Sequence, residues 1–178
     1  MVCKRFIMRS FIFIFIIIFF SCNKEKSTKK RFVIRHTKES LQEVNKLLVD
    51  KDTEIIENYI KRREWDMAVS ETGLWYEIYK KGNGPEIKRN DLITYNYSVW
   101  LLDGTLCYSS DNLGAGSFVV GKGRVESGLE EGVLMLNKGS KSRFILPPHL
   151  AHGLIGDENR IPARATLIYD IEIIDIQN

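Results

Sequence analysis

The sequence contains few of the residues on which disulfide-rich and metal-binding proteins depend. Among 178 residues there are only three cysteines and three histidines. Cys3 and Cys22 lie close to the N-terminus, and Cys107 has no partner in the rest of the chain, so no disulfide framework can form. His149 and His152 lie three residues apart, but in a loop rich in proline and glycine and without a third ligand. The sequence therefore predicts no metal site.

An excess of charge of one sign is also missing. The formal net charge of +3 comes from the first 21 residues, which hold three of the 26 basic residues and no acidic one, so that 23 basic residues face 23 acidic ones in the remainder. A protein that binds nucleic acid through phosphate contacts would be more basic. No glycine-rich stretch has the strand–helix context of a nucleotide-binding loop. We therefore expect neither nucleic acid nor a cofactor as a ligand.

The chain has one long uninterrupted apolar run, Phe11–Phe20, which consists only of Phe and Ile. It is shorter than the roughly 20 residues that span a bilayer, and it follows a basic start, as the core of a signal peptide does. The residues after it, ending at Cys22, resemble a bacterial lipobox. Residues 1–21 are therefore predicted to be a lipoprotein signal peptide. Cys22 would then carry lipid chains, palmitate among them, that anchor the protein to a membrane of the bacterial cell envelope. The alternative is ordinary cleavage that leaves Cys22 as a free thiol.

Two segments separate this start from the rest of the chain. Residues 22–36 are rich in lysine and are predicted to be a flexible tether. Residues 37–71 show helical periodicity and are predicted to be a helical spacer, built of one bent helix or of two. The apolar stripes of the spacer comprise Leu41, Val44, Leu47 and Leu48, then Ile55, Ile56, Tyr59 and Ile60. These stripes pack either on the chain's own domain or, in a homodimer through residues 37–63, on a second copy.

Residues 72–178 are predicted to be one folded domain. Its β-rich segments are Leu74–Tyr79, Leu92–Leu102, Thr105–Ser109, Phe118–Gly121, Ser142–Leu146 and Ala165–Ile173. Asp103-Gly104 predicts a hairpin between the second and third segments. Ser127 is placed to cap a helix, with Glu130 at capping-box spacing, and Gly139 is placed to follow the end of that helix. The residues thus indicate several strands and one short helix.

Three stretches of this domain resemble one family. Residues 125–148 read V-E-S-G-L-E-E-G-V-L-M-L-N-K-G-S-K-S-R-F-I-L-P-P, residues 151–153 read A-H-G, and residues 161–173 read I-P-A-R-A-T-L-I-Y-D-I-E-I. They resemble the FK506-binding-protein (FKBP) type of peptidyl-prolyl cis-trans isomerase, and the resemblance covers roughly residues 74–178. It implies an α+β fold in which an antiparallel sheet wraps around one short helix. It also implies a cleft between helix and sheet that binds proline-containing segments and needs no cofactor.

The family's pocket is only partly retained. Four positions keep the family's residue type: the aromatic Tyr97, Val125, whose backbone binds ligand, and the apolar wall residues Ile161 and Tyr169. Five positions depart from it: Cys107 replaces a wall phenylalanine, Tyr108 the pocket aspartate, Glu126 an isoleucine, Leu129 the floor tryptophan and His152 a tyrosine that donates from a loop. These departures predict weak binding of FK506-like ligands, and isomerase activity that is reduced or lost.

The resemblance implies a membrane-anchored isomerase that assists the folding of exported or envelope proteins. With its lipoprotein start and helical spacer, the chain is most similar to the gliding-motility-associated lipoprotein isomerases. Two alternatives remain open at this point. One is a non-catalytic chaperone or binding module that uses the same cleft, and the other is a structural component of an envelope machine.

Overall fold

A computed structural model of the chain describes residues 26–177, with side chains described from residue 40 onward. The predicted signal peptide and Cys22 lie outside the described residues. The described residues belong to two separate units, 26–46 and 47–177. The helices are α1 (Lys26–Arg63), α2 (Ser110–Leu113) and α3 (Ser127–Val133), and a 3₁₀ turn forms at Pro148–Leu150. The strands are β1 (Ala68–Val69), β2 (Trp75–Lys80), β3 (Leu92–Leu101), β4 (Leu106–Ser109), β5 (Gly116–Val119), β6 (Lys141–Leu146) and β7 (Leu167–Gln177).

Helix α1 is one continuous helix and differs in its bounds from the prediction. It begins at Lys26, inside the expected tether at 22–36, and ends at Arg63, before the expected end of the spacer. The chain has neither glycine nor proline between residues 23 and 72, and Lys, Arg and Glu are strong helix formers. This propensity outweighs the polar composition that indicated a flexible tether. Among the described residues, no helix combines the length and the apolar content needed to cross a bilayer.

The C-terminal part of α1 packs on the sheet. Ile56, Tyr59 and Ile60 are buried and form a hydrophobic cluster with Ile145 of β6 and Ile168 of β7. This arrangement matches the alternative in which the spacer packs on the chain's own domain. The homodimer stays a prediction.

The seven strands form one antiparallel sheet in the order β1-β2-β6-β7-β3-β4, and β5 also pairs with β3. β4 and β5 pair with different parts of β3, because α2 interrupts the chain between them. The predicted hairpin connects β3 and β4. Gly104 there adopts a φ of +91°, and the side chain of Asp103 accepts a hydrogen bond from the amide of Thr105 at 2.9 Å. β1 pairs with β2, so the sheet begins before the boundary predicted at residue 72.

Helix α3 lies on the face of the sheet opposite to α1. Successive residues of a strand point to opposite faces, so Ile145, which contacts α1, faces away from its neighbours Phe144 and Leu146. Those two neighbours meet the glycines of α3. A Cβ atom on Gly132 would lie 2.7 Å from Cζ of Phe144, and one on Gly128 would lie 2.7 Å from Cγ of Leu146. The glycines therefore let the helix backbone pack directly on β6.

The ends of α3 also differ from the prediction. Ser127 is the first helical residue and not the cap, because its hydroxyl donates to a backbone carbonyl in the 3₁₀ turn at 3.4 Å. Glu126 occupies the cap position and makes no side-chain capping bond. The helix ends at Val133, six residues before Gly139, because the chain then turns to exchange backbone hydrogen bonds with residues 84–87.

Candidate active site

The inner face of the sheet and the first turns of α3 enclose an apolar cluster that contains most of the predicted pocket residues. Cys107, Leu129, Ile161 and Tyr169 are buried in it, and the partly buried Tyr97, Tyr108 and Val125 pack against it. In the β3–β7 pairing Val99 lies opposite Tyr169, and residues two apart share a face, so Tyr97 and Tyr169 point to the same side. The rings of Tyr95 and Tyr97 lie 5.5 Å apart. The cluster thus has an aromatic wall and an aliphatic floor.

A carboxylate lies at the edge of this cluster, at the start of α3. The hydroxyl of Tyr169 donates to Oε1 of Glu126 at 2.8 Å. Nε2 of His152 lies 2.8 Å from the same oxygen, and only 11% of the Glu126 side chain is exposed. These contacts link the helix, β7 and the loop after β6. With them, all nine predicted site residues lie in or beside one apolar cluster, while their roles in binding stay predictions.

The carboxylate of Glu126 affects the pKa values of two buried tyrosines, Tyr95 and Tyr169. Burial raises the pKa of Tyr169 well above its ordinary value, and the negative charge of Glu126 and the hydrogen bond to it raise that pKa further. Burial also raises the pKa of Tyr95, again with a contribution from the charge of Glu126. Both phenols therefore stay protonated at neutral pH. A protonated phenol keeps the hydrogen that Tyr169 donates to Glu126.

Tyr108, at the position of the family's aspartate, has a carboxylate as its partner. Its hydroxyl donates to Oδ2 of Asp157, which lies in the loop before β7. The other oxygen of Asp157 accepts hydrogen bonds from the amides of Asn159 at 2.9 Å and Ile161 at 2.7 Å. Burial opposes ionisation of Asp157, but these hydrogen bonds outweigh burial and lower its pKa to about 2. Tyr108 therefore holds the loop that carries Ile161 against the cleft.

Cys107 joins the same loop from the inner side of β4. Its thiol is buried and lies 3.6 Å from the carbonyl oxygen of Arg160, while the guanidinium of Arg160 donates to the carbonyl of Cys107 at 2.9 Å. Burial raises the pKa of the Cys107 thiol, and the nearby charges of Asp157 and Asp103 add to the shift. A buried thiol with a raised pKa is a packing group and a poor nucleophile.

Glu130 holds the loop before α3, whereas the sequence predicts that it completes a capping box with Ser127. Its carboxylate accepts hydrogen bonds from the amides of Gly121 and Gly123, the latter at 2.8 Å. Gly121 and Gly123 have φ angles of +82° and +63°, which favour glycine. This clamp fixes the turn that leads into Val125 and Glu126.

Asp157 and Glu130 are thus positioning residues that the sequence did not reveal. A turn signal was present for Asp157, because an aspartate two residues before Asn159 and directly after Gly156 is typical of a turn in which the side chain binds the next amides. Its bond to Tyr108 spans 49 residues and has no local signal. No nucleophile paired with a base lies among the nine predicted site residues.

The two close histidines have separate partners. Nε2 of His149 lies 3.0 Å from the carbonyl oxygen of Thr72, and His152 contacts Glu126. In the part of the chain that the structure describes, no group of three or more His, Cys, Asp or Glu is arranged to hold a metal ion.

Comparisons with known proteins define the family. The family model of the FKBP-type peptidyl-prolyl cis-trans isomerases matches residues 84–174, which is just over half of the chain. FKBP-type isomerase FkpA of Aeromonas hydrophila is 34% identical over 154 residues, or 82% of this chain and 56% of that protein. Human peptidyl-prolyl cis-trans isomerase FKBP9 is 39% identical over 90 residues, or 50% of this chain and 16% of that protein. The chain belongs to the FKBP-type peptidyl-prolyl isomerase family, and it spans about half or less of the length of these two relatives.

Solved structures agree on the fold. The crystal structure of FkpA from Escherichia coli superposes with a TM-score of 0.63 at 26% identity, and covers 89% of this chain and 76% of that one. The crystal structure of AtFKBP13 gives a TM-score of 0.60 at 32% identity, and covers 62% of this chain and 98% of that one. These similarities confirm the predicted α+β fold, an antiparallel sheet around one short helix, and the predicted isomerase family.

Proposed function

We propose that this protein catalyses cis-trans isomerisation of X-Pro peptide bonds in protein segments bound between α3 and the sheet. The observation that carries the proposal is the joint burial of Leu129, Ile161 and Tyr169 in one cluster with Tyr97 against it. The sequence resemblance assigns these four residues to the family's pocket. The partly exposed Tyr97 and Val125 at the edge of this cluster would contact a pyrrolidine ring. The family membership supplies the reaction class.

The reaction requires no side chain that forms or breaks a covalent bond. Rotation about a peptide bond crosses a barrier of about 18–20 kcal/mol, because it breaks the conjugation of the C–N bond. The cis and trans forms of X-Pro are close in energy, so no bond need be made or broken. The rate rises if the cleft binds the twisted amide more tightly than the planar one. An apolar enclosure acts in this direction, because water stabilises the polar planar amide more than the twisted form.

A proline-limited refolding assay tests the proposal. The slow phase of a substrate protein, which lasts tens to hundreds of seconds without catalyst, should shorten in proportion to the concentration of this protein. Tyr97→Ala should lower the catalysed rate constant about tenfold, since loss of one aromatic wall contact is worth about 1.4 kcal/mol. Tyr79→Ala is the matched control, because Tyr79 lies over Arg143 and bonds Asp170 on the other face of the sheet. No acceleration by the wild type, or equal rates for Tyr97→Ala, would refute the proposal.

A second candidate function, a chaperone that holds unfolded chains, is favoured by one feature of the loop beside the cleft. Leu154 and Ile155 are 72% and 76% exposed, directly after His152 and Gly153. Adjacent exposed aliphatic side chains next to an apolar cleft extend the surface that an unfolded segment can contact. Replacing both by serine should then abolish suppression of aggregation while the isomerase rate on a short peptide is kept. Unchanged suppression would remove this candidate.

For the cellular setting we propose a lipid-anchored protein of the bacterial envelope that assists exported proteins. The support is the sequence of residues 1–22, with its basic start, apolar run and terminal Cys22. Labelled palmitate should be incorporated into the wild type and not into Cys22→Ser, and the variant should leave the membrane fraction. Membrane retention of an unlabelled Cys22→Ser protein would contradict the anchor.

Two finer proposals concern assembly. The exposed Leu41, Val44 and Leu47 of α1 support a homodimer through residues 37–63. Sedimentation of the protein should give a dimer that Leu41→Lys converts to a monomer, and a monomeric wild type would rule the dimer out. The resemblance of the N-terminal sequence and the helical spacer to gliding-motility-associated lipoprotein isomerases is the support for the alternative to general folding, a role in that envelope machine. Co-purification with envelope partners that persists in cleft variants would favour the machine, and its loss would favour the folding role.

A further inference from the structure

Glu126 introduces a charge at the edge of an apolar cluster, in addition to the carboxylate of Asp157 beside Tyr108. The Glu126 carboxylate is nearly buried, with 11% of the side chain exposed, and contacts the phenol of Tyr169 and the imidazole of His152. In the described part of the chain, no lysine or arginine pairs with it. The neighbouring Arg124 is exposed and makes no ion pair there. The charge therefore faces the cleft with one phenol hydrogen bond and one histidine contact, and without a permanent cation.

The surroundings of this carboxylate magnify its effect on a ligand. A charge that is mostly removed from water interacts with other charges more strongly than an exposed one does, because the local dielectric response is weaker. The hydroxyl of Tyr169 lies 2.8 Å from Oε1 of Glu126, so the charge is in direct contact with the aromatic wall. A ligand side chain in the cleft meets the same charge.

The sign of the effect follows from the charge. A lysine or arginine next to the bound proline would supply the cation that the chain itself does not provide. An aspartate or glutamate in that place would be repelled, and its carboxylate would be desolvated without a partner. An uncharged neighbour such as leucine would be neither attracted nor repelled by the charge of Glu126.

We infer that Glu126 is a specificity-determining residue that makes the cleft prefer proline segments with a basic neighbour over those with an acidic one. The inference rests on the proposed binding of X-Pro segments, and it adds the class of substrate. It requires that Glu126 acts on the ligand through its charge and not through its shape.

The test compares peptides that differ in one residue beside the proline. Three peptides carry Lys, Leu or Glu before the proline, three more carry the same residues after it, and NMR exchange spectroscopy measures kcat/KM for each. The wild type should prefer the Lys peptide over the Glu peptide by about tenfold in at least one set, as expected for a partly buried charge acting on another. In Glu126→Gln, which keeps the shape, this ratio should fall to about twofold or less. Glu126→Lys should invert it.

Ratios measured within one variant cancel any general loss of activity. Glu86→Gln is the matched control, because Glu86 is exposed and its removal changes the net charge equally; this variant should keep the wild-type ratio. A wild-type ratio near one, or a ratio that survives in Glu126→Gln, overturns the inference while turnover of the Leu peptide still supports the isomerase. If no peptide is turned over, the isomerase proposal fails, and fluorescence anisotropy of the same peptides decides whether binding shows the Lys-over-Glu preference. Equal affinities, or no binding, overturn the inference there too.

Discussion

Gly132→Ala tests whether α3 is held directly on the sheet by its glycines. On helix propensity alone the change should stabilise the protein, because alanine is favoured over glycine by up to about 1 kcal/mol in a helix. The contacts predict the opposite effect, a loss of stability. The new methyl group would lie 2.7 Å from Cζ of Phe144 and 2.9 Å from both Cε atoms, where ordinary contacts are 3.4–4 Å. The ring of Phe144 has no exposed surface and cannot swing towards solvent.

The magnitude follows from these opposing terms. Overpacking a core by one methyl group costs about 1–3 kcal/mol, and a contact with three ring atoms belongs at the upper end of that range. The gain in helix propensity offsets part of this cost, so the free energy of unfolding should fall by about 2 kcal/mol. For a domain of this size that corresponds to a fall in Tm of roughly 6–10 °C. The helix retreats from Phe144 and carries Leu129 with it, so isomerase activity should fall as well.

Urea unfolding followed by circular dichroism measures the change. The matched experiment is a double-mutant cycle with Phe144→Leu, which removes the ring atoms that the methyl group meets. Phe144→Leu destabilises by itself, but Gly132→Ala should cost at least 1 kcal/mol less in that background, because neighbouring changes are not additive. A Gly132→Ala protein that is as stable as the wild type, or more stable, would refute the idea that the backbone of α3 rests on the phenylalanine ring.

Three further predictions concern other contacts. The pKa of Asp157 is about 2 in the folded protein against 3.8 ordinarily. Its stabilising effect is therefore complete above about pH 5 and is lost as the pH falls from about 5 to about 2. Asp157→Asn should flatten the decline of the unfolding free energy in that window, and unchanged slopes in urea titrations across it would contradict this. Arg164 donates to both oxygens of Asp52, at 3.1 and 2.9 Å, so Asp52→Ala should cost about 1 kcal/mol, and a double-mutant cycle with Arg164→Ala that shows no coupling would disprove the link. The buried Cys107 should react with maleimide only in denaturant, as mapped by peptide mass spectrometry, and rapid labelling in the native protein would show that the thiol is accessible.

Local signals in the sequence predicted the sheet well. The hairpin at Asp103-Gly104 forms where the turn chemistry put it, and β3 and β7 match the alternating segments to within a few residues at each end. Side-chain alternation and glycine conformation are properties of short stretches, so a single sequence carries them. The burial of Leu129 and Tyr169 also followed from the match to the family's pocket.

Other features depend on partners that are distant in sequence. Glu130 fits a capping box by its spacing, but two glycine amides in the loop before it are better donors, and only the folded loop brings them close. The lysine-rich stretch from Lys26 reads as a solvated tether by composition, whereas its lack of glycine and proline lets α1 extend through it. In both cases two local rules disagreed, and no local pattern indicates which of the two is stronger.

The departures from the family's pocket are coupled in the structure, and this bears on what they do. Tyr108, at the family's aspartate position, donates a hydrogen bond to the carboxylate of Asp157. A carboxylate therefore still lies beside this strand, although it belongs to the loop. Glu126 and His152, two further departures, contact each other and Tyr169. Among the described residues, no buried side-chain nitrogen or oxygen lacks a hydrogen-bond partner. A pocket that had decayed would leave unpaired polar groups, each costing about 1–3 kcal/mol. The replaced residues instead form satisfied pairs around the buried Leu129, which supports the proposal of a cleft with altered selectivity over one that has lost the ability to bind proline.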